Sequence, residues 1–334
     1  MRISTRAAIA ALSALTALTL YGVCGAAAFA AAADAPKPLQ PTPAAASTIA
    51  GQAMVLGAAR AGSRIVSVGD QGIVMLSDDQ GKTFRQARSV PVSSTLTAVS
   101  FADAKHGWAV GHWGAILATA DGGETWQIQR LATAQDRPLF AVQFFDAEHG
   151  VAVGLWSLIL TTDDGGKTWA EQKVAPPAGS TKADANLLGL FADAKGRVYA
   201  SAERGLVLRS DDRGHSWEYL ATGYKGSFWS GIALPDGTLV VGGQRGTVYR
   251  SADDGKTWAP AALDSKNSVT GFAAAGSELL LVGLEGLRAL SKDDGQHFSV
   301  TLRPDRESLT AALPGAPGAW LLWSRRGFIA DVPR

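Results

Sequence analysis

Six copies of one eight-residue pattern, spaced at nearly equal intervals, restrict how this chain can fold more than any other feature. The pattern reads S/T-x-D-x-G-x-T-W, and its clearest copy occupies residues 251–258. The central aspartates of the copies are Asp79, Asp121, Asp164, Asp212, Asp253 and Asp293. They are separated by 42, 43, 48, 41 and 40 residues. Such a period predicts a protein built from repeats of one small structural unit.

The residue types in this pattern, which we call the Asp-box, suit a tight turn between two strands. The aspartate accepts hydrogen bonds from turn N–H groups, the glycine adopts positive φ, and the hydroxyls join the two arms. Six loop aspartates could instead bind calcium, but the spacing lacks the alternating ligands and distal glutamate of a calcium loop. We therefore interpret the six aspartates as structural, and we predict neither a metal nor a cofactor.

Each Asp-box follows two short apolar strands joined by a turn, most clearly in residues 107–117. Another strand lies upstream, as in residues 96–101, and a fourth begins at the aromatic residue that ends the Asp-box. Four-stranded units of about 40 residues, repeated six or more times, are typical of a β-propeller. The sequence therefore predicts an all-β fold.

A seventh unit is incomplete, and it determines the predicted number of blades. Residues 309–313, 319–323 and 327–329 repeat the first three strands, but no Asp-box follows them. We predict a seven-bladed propeller with Asp-box turns between strands three and four of six blades. The segment before Met54 is expected to supply the missing fourth strand and close the ring, because an open blade edge would favour aggregation.

The first 46 residues precede the repeats and differ from them in composition. Arg2 and Arg6, an uncharged apolar run and the small-x-small sequence at 28–30 predict a signal peptide over residues 1–30. A membrane anchor is the alternative, and lipidation at Cys24 is disfavoured by Val23. Residues 31–46 are rich in alanine and proline and predict an extended tether, followed by the propeller at 47–334. The expected location is therefore the periplasm.

The overall charge is close to zero. The chain has 31 Lys and Arg against 30 Asp and Glu, and removal of residues 1–30 would leave 29 against 30, a formal charge of −1. The one cysteine would leave with the signal peptide, so disulfides are excluded from the mature protein. Composition therefore indicates no bulk basicity that would steer the protein to nucleic acid or anionic lipid.

Residues 107–126, with the sequence GWAVGHWGAILATADGGETW, resemble a blade of the photosystem II stability/assembly factor family. The similarity extends over residues 54–329, although the units near Leu284 and Ser324 depart from the pattern and His297-Phe298 replaces Thr-Trp. The resemblance implies a seven-bladed propeller that acts as an assembly or stability factor, and we expect a non-photosynthetic bacterial member. It also implies a membrane-protein complex, or an assembly intermediate of one, as the partner.

We call the side of the propeller opposite the Asp-boxes the free face. It collects the turns between strands two and three and the connections between blades, where residue types vary at equivalent positions. The predicted partner-binding residues in these turns are Arg204, Arg245, Arg325, Arg326, Trp113, Trp156 and His112. Further arginines are predicted to lie in the connections between blades on the same side: Arg130, Arg137, Arg303 and Arg306. Guanidinium groups suit carboxylates and protein interfaces, and exposed tryptophans suit an anchoring role.

The alternative to a binding role is that these arginines form ion pairs with acidic residues of the same face. The candidates for such pairs are Asp70, Glu203 and Glu285. The free face would then be a solvated surface with little net charge and no binding role.

Enzymatic activity is not predicted. The histidines lack zinc-ligand spacing, and neither a nucleophile elbow nor a phosphate-binding loop is present. Sialidases share the Asp-box and use a tyrosine nucleophile, for which Tyr224 is the best-placed candidate. A glycan-binding or glycosidase propeller, with Trp113 and Trp156 at a sugar site, is therefore the alternative function. We expect a monomer with no affinity for nucleic acid and no membrane insertion after cleavage.

Overall fold

Each repeat folds into an antiparallel sheet whose strands follow chain order from the centre of a ring to its edge. A computed structural model describes residues 40–330, so the predicted signal peptide and residues 31–39 lie outside the described residues. Seven sheets are present in this part of the chain, which confirms the predicted seven-bladed propeller. No helix within residues 40–330 has the length and apolar character needed to cross a membrane.

The first three blades contain four strands each. Blade 1 consists of β1 (Val55–Ala61), β2 (Arg64–Gly69), β3 (Val74–Ser77) and β4 (Arg85–Gln86). Blade 2 consists of β5 (Leu96–Phe101), β6 (Gly107–Gly111), β7 (Ile116–Thr119) and β8 (Gln127–Arg130). Blade 3 consists of β9 (Leu139–Phe144), β10 (Gly150–Gly154), β11 (Ile159–Thr162) and β12 (Ala170–Gln172).

The remaining blades follow the same order, with one strand fewer in blade 7. Blade 6 has one strand more, the short Ala262–Leu263, which precedes the others in the chain but pairs in parallel with the last strand at the outer edge. Blade 4 consists of β13 (Leu187–Ala192), β14 (Val198–Ala202), β15 (Leu206–Ser210) and β16 (Glu218–Ala221). Blade 5 consists of β17 (Phe228–Ala233), β18 (Leu239–Gly243), β19 (Val248–Ser251) and β20 (Ala259–Pro260). Blade 6 consists of β21 (Ala262–Leu263), β22 (Val269–Ala275), β23 (Glu278–Gly283), β24 (Leu287–Ser291) and β25 (His297–Leu302). Blade 7 consists of β26 (Leu309–Pro314), β27 (Trp320–Ser324) and β28 (Gly327–Ala330).

Burial explains the composition of the strands. Every residue of the second strand β6 is buried, because adjacent blades cover both of its faces, whereas the outer strand β8 is exposed or half-buried and carries Gln127, Gln129 and Arg130. The core lies between blades, as where the ring of Trp108 in blade 2 stacks on Phe144 of blade 3 with centroids 3.4 Å apart.

The innermost strand of each blade has a one-residue irregularity near its start, such as that between Leu96 and Ala98. In blade 2 the extra residue is Thr97. Its hydroxyl donates to Val110 O at 3.1 Å and to Leu139 O of the next blade at 2.7 Å. The irregularity therefore directs a side chain toward the neighbouring blade, as β-bulges commonly do.

The seventh blade differs from the prediction. Its sheet has three strands among the described residues, and residues 40–53 do not form a fourth. Instead, residues 50–52 form a single 3-10 turn whose Gly51 packs against Gly327. The physical reason lies further upstream, where Ala44 N–H donates to Val90 O at 3.0 Å and draws the segment toward the connection that follows blade 1.

Among residues 40–330, the ring closes through side-chain contacts and not through a shared strand. The guanidinium of Arg60 in β1 donates to Pro314 O in β26 at 2.6 Å. The ring of Phe84, which ends the first Asp-box, lies 4.7 Å from Phe328 and 6.4 Å from Trp323 between centroids. Blades 1 and 7 are thus joined by ring contacts, as blades 2 and 3 are joined by Trp108 and Phe144.

Candidate functional site

The Asp-box carboxylates are occupied by hydrogen bonds within their own turns. In the fifth box, Asp253 Oδ1 accepts bonds from the Ser251 hydroxyl and the Thr257 N–H at 2.8 Å each, and Oδ2 accepts one from the Thr257 hydroxyl at 2.6 Å. The Thr257 hydroxyl and N–H lower the pKa of Asp253 to about 2. The same bonds recur in the other boxes, with the imidazole of His297 replacing the threonine hydroxyl in the sixth.

The carboxylates that could bind a ligand at these turns are therefore already occupied by hydrogen bonds within the turns. Within residues 40–330, no group of three or more His, Cys, Asp or Glu side chains is arranged to hold a metal ion. A partner would find more available side chains on the free face.

The turns of the free face share one backbone conformation in blades 1–6. Each is a short 3-10 turn whose middle residue is left-handed, with φ between 54° and 61°. These middle residues, which we call the tips, are Gln71, Trp113, Trp156, Arg204, Arg245 and Glu285. In five blades a glycine follows the tip. At Gly246 a side chain is impossible, because its Cβ would lie 1.9 Å from Ser265 O of the following connection.

Side chains from the following connection hold several tips in place. The Trp113 N–H donates to Asp136 Oδ1 at 2.6 Å, and the Trp156 N–H donates to Asn186 Oδ1 at 3.0 Å. The N–H groups of Arg245 and Glu285 donate in the same way to the hydroxyls of Ser268 and Ser308, at 3.2 Å each. The backbone of each of these tips is therefore held in place, while the side chain that it carries differs from blade to blade.

Arg204 and Arg245 occupy equivalent tips in neighbouring blades, but their surroundings differ. The Arg204 guanidinium pairs with Asp184 at 2.6 Å, and both side chains remain about half exposed. Their hydrogen bond raises the pKa of Arg204 and lowers that of Asp184. Arg245 is exposed, and its guanidinium has no ion pair with any residue between 40 and 330.

The alternative pairing of these arginines with Asp70, Glu203 and Glu285 does not occur among the described residues. Glu203 instead accepts bonds from the backbone and side-chain nitrogens of Asn186, at 3.0 Å each. Asp70 accepts a bond from the hydroxyl of Thr95 at 3.1 Å. In the seventh blade, Arg326 lies 3.4 Å from Glu307, while the neighbouring Arg325 is exposed and has no ion pair in the described chain.

The two tip tryptophans also differ in accessibility. Trp156 is 52% exposed, which makes it a rare large apolar side chain at the surface. Trp113 is half-buried and lines a cavity of about 280 Å³ together with Gln40 and Pro41 of the N-terminal segment. Its neighbour His112 lies 3.2 Å from Asp136. Trp156 is therefore the tip tryptophan that a partner could contact without displacing other parts of the chain.

Three of the four arginines assigned to the connections are engaged locally. Arg130 is not in a connection but ends the outer strand β8, because its backbone pairs with Ile116; it donates to Gly114 O at 2.6 Å, and burial lowers its pKa. Arg137 pairs with Glu171 at 3.1 Å, and Arg303 pairs with Asp305 at 2.8 Å. The fourth arginine, Arg306, is exposed and has no ion pair within the described residues.

Tyr224 is not arranged as a nucleophile. It is half-buried, and its ring packs 5.1 Å from Phe228 and 5.8 Å from Tyr249 between centroids. In the described chain its hydroxyl has one hydrogen-bond partner, Gln244 O, at 3.5 Å. This geometry gives no support to the glycosidase alternative.

Sequence reasoning missed two residues that shape this site, Asp184 and Asn186. Both lie in the connection between blades 3 and 4, which the longest Asp-box spacing, 48 residues, would have marked as unusual. That interval was the available signal, because added residues between constant blades must lie in a loop.

The described chain is thus a seven-bladed β-propeller with Asp-box turns on one side. On the other side lie the tips, which share one backbone conformation but carry different side chains. A sequence profile of the family described as photosynthesis system II assembly factor YCF48 matches residues 85–173 and 135–269, more than half of the chain. The chain belongs to this family, which confirms the predicted resemblance.

Two solved structures are similar to the propeller. "YCF48 bound to D1 peptide" has a TM-score of 0.67 and 20% identity over 88% of this chain and 99% of that chain. "YCF48 from Cyanidioschyzon merolae" has a TM-score of 0.65 and 15% identity over 83% and 94% of the respective chains. At these identities the likeness shows a shared fold. No curated protein matches the sequence significantly.

Proposed function

We propose that this protein is an exported, non-enzymatic assembly factor that binds a segment of a membrane protein, or of its assembly intermediate, through the free face. The observation that carries the proposal is the row of tips in blades 3, 4 and 5, where Trp156, Arg204 and Arg245 follow one another around the ring. Membership in an assembly-factor family supports it, as does the peptide bound to a solved family member.

The chemistry of these tips favours an acidic ligand with an apolar side chain. Arg245 has no ion pair to lose among the described residues, so it can form a bidentate bond with a carboxylate at little cost. Arg204 would exchange Asp184 for the ligand, and a half-exposed ion pair of this kind contributes little stability. Trp156 offers its exposed ring to an apolar group, as tryptophans at binding hot spots do.

The rigidity of the site favours binding as well. The backbone N–H groups of Trp156 and Arg245 donate hydrogen bonds to the side chains of Asn186 and Ser268, so little conformational freedom remains to be lost when a ligand binds. An extended peptide crossing blades 3 to 5 would therefore meet one aromatic and two basic side chains in preset positions.

The decisive experiment is co-purification of a membrane complex from detergent-solubilised cells. We expect the double variant Arg204→Ala with Arg245→Ala to lose the complex and to keep the wild-type melting temperature, because both side chains are exposed. The matched control is Arg213→Ala with Lys256→Ala, which removes two basic residues from the Asp-boxes of the same two blades. If the tip variant retains the complex, or the control loses it equally, the free face is not the binding surface.

Export to the periplasm is part of the proposal and rests on the sequence of residues 1–30. We expect the intact mass of the protein from the periplasmic fraction to correspond to a chain that begins near Ala31. A diacylglycerol adduct at Cys24, or a chain that keeps residues 1–23, would contradict this part of the proposal.

A further inference from the structure

The propeller separates charges that nearly cancel in the sequence. The six Asp-box loops together carry twelve carboxylates and five lysines or arginines. These carboxylates belong to Asp78, Asp79, Asp121, Glu124, Asp163, Asp164, Asp211, Asp212, Asp253, Asp254, Asp293 and Asp294. Four of the twelve pair with arginines outside the loops: Asp78 and Glu124 with Arg85, Asp211 with Arg209, and Asp254 with Arg197. The other eight outnumber the five basic residues of the loops, and since all six loops join strands three and four, the fold gathers this excess of negative charge on the side opposite the free face.

Basic side chains collect on the free face along one arc, from blade 4 to blade 7. We call the following residues the basic arc: Lys225, Arg245, Lys266, Arg306 and Arg325. All five are exposed, and none has an ion pair with another residue in the range 40–330. Two of them, Arg245 and Arg325, lie in the turns of blades 5 and 7.

The other three lie in connections that pack directly against the tips. Gly205 N–H donates to Gly226 O at 2.6 Å, which places Lys225 beside the tip of blade 4. The backbone at Lys266 packs against Gly246 in blade 5, and that at Arg306 packs against Gly286 in blade 6. The basic arc is thus a feature of one surface and not a collection of distant residues.

Acidic side chains on the same arc do not cancel this charge. Asp184, Asp305 and Glu307 are already paired with Arg204, Arg303 and Arg326. Within the described residues, the acids without an ion pair in this part of the free face are Glu203, Asp264 and Glu285, three against the five cations of the basic arc. An excess of positive charge therefore remains.

We propose that the basic arc docks on an anionic bilayer surface. Five unpaired cations spread over four blades match a broad, flat layer of phosphate groups better than one peptide, which would meet only a few of them. Juxtamembrane basic residues are attracted to anionic leaflets, and the acidic Asp-box side would be repelled, so the molecule would approach with the free face first. The exposed Trp156 on the same face suits the interfacial region of a bilayer.

The inference goes beyond the proposed function, because it requires lipid and no protein partner. It would place the tips of blades 3 to 5 at the membrane surface, where a segment of a membrane protein emerges. The two binding events use different ligands and can therefore be tested separately.

Co-sedimentation with vesicles tests the inference. The purified protein is mixed with vesicles of phosphatidylglycerol and phosphatidylcholine, or of phosphatidylcholine alone, at low ionic strength. We expect about tenfold stronger partitioning to the anionic vesicles, lost when salt is raised to about 0.5 M. Any uncleaved N-terminal apolar segment would bind both vesicle types, so the preference for anionic lipid is the measurement that matters.

Charge reversal identifies the surface. We expect Arg245→Glu with Arg325→Glu, and separately Lys225→Glu with Lys266→Glu, to reduce anionic partitioning about tenfold. The control Lys167→Glu with Lys256→Glu makes the same charge change in the Asp-boxes and should alter partitioning less than about twofold. Unchanged melting temperatures would establish that all variants are folded.

Equal binding to both vesicle types, or equal loss in the arc and control variants, would overturn the inference. If vesicles fail to bind but the membrane complex still co-purifies in detergent, the lipid inference falls and the proposed function stands. If vesicles bind through the basic arc but no complex co-purifies, the proposed function falls and the lipid inference stands.

Discussion

The backbone N–H of Trp156 in blade 3 donates to the side-chain oxygen of Asn186, at 3.0 Å, just before the first strand of blade 4. The amide nitrogens of Asn186 bond in turn to Glu203, next to the tip Arg204. One side chain therefore sets the positions of two neighbouring tips. The exposed aromatic ring and the basic group beside it form a unit whose spacing is built into the scaffold.

Replacing Trp156 should affect binding without affecting folding. Because its ring is about half exposed, we expect Trp156→Ala to weaken co-purification of the membrane complex and to leave the free energy of unfolding nearly unchanged. Trp113→Ala is the comparison: this ring is half-buried against the N-terminal segment, and its loss should cost about 2 kcal/mol. Chemical denaturation of both variants checks the difference, and a large loss of stability in Trp156→Ala would contradict the assignment.

Replacing an Asp-box aspartate should have the opposite effect. Asp253→Ala removes three hydrogen bonds within its turn, so we expect a lower melting temperature and unchanged co-purification of the partner. Lys256→Ala, an exposed change in the same loop, serves as the control. Loss of binding at an unchanged melting temperature would mean that the Asp-box side takes part in recognition.

The Asp-boxes also predict how stability depends on pH. The pKa of Asp79, Asp164 and Asp253 is lowered from 3.8 to about 2 in the folded protein, because turn hydroxyl and N–H groups bond to the ionised carboxylates. A lowered folded-state pKa means stabilisation that is complete above pH 3.8 and is lost as pH falls toward 2. We therefore expect melting temperatures to decline steeply below about pH 4.

The variant Asp253→Asn checks the cause of this decline. An amide cannot titrate, so the variant should start from a lower melting temperature at neutral pH and lose less of it between pH 4 and pH 2. A decline as steep as in the wild-type protein would show that other groups dominate acid unfolding.

The junction of blades 1 and 7 should depend on the ring of Phe84. Phe84→Ala removes its contacts with Phe328 and Trp323, and we expect a loss of about 2–4 kcal/mol in the free energy of unfolding. Ile128→Ala, on the outer strand of blade 2, should cost less than about 0.5 kcal/mol. Denaturant titration measures both, and a small effect of Phe84→Ala would mean that other contacts close the ring.

The hydroxyl of Tyr224 should be dispensable. Its one contact in the described chain is a long bond to Gln244 O, so we expect Tyr224→Phe to change neither stability nor partner binding. Neither the wild-type protein nor the variant should hydrolyse a fluorogenic sialoside. Hydrolysis that disappears in Tyr224→Phe would favour the glycosidase alternative.

Much of the fold could be predicted because its determinants are local. An Asp-box such as residues 251–258 contains every donor and acceptor of its own turn, so its structure can be recognised without knowledge of the rest of the chain. The position of the tips follows from the same reasoning, since a short turn between two strands has few possible conformations. The closing of the ring could not be derived in this way, because the path of residues 40–49 depends on their contact with Val90.

The sequence by itself determined the number of blades, the Asp-box turns and the identity of the residues at the tips, because each follows from a pattern only a few residues long. Tertiary structure alone decided which of those residues are available. Arg204 pairs with Asp184 of the long connection between blades 3 and 4, while Arg245, at the same position in the next blade, has no ion pair in the part of the chain that the structure describes. It also decided how charge is distributed over the propeller: although the net charge of the chain is nearly zero, strand order places every Asp-box on one side and the basic arc on the other.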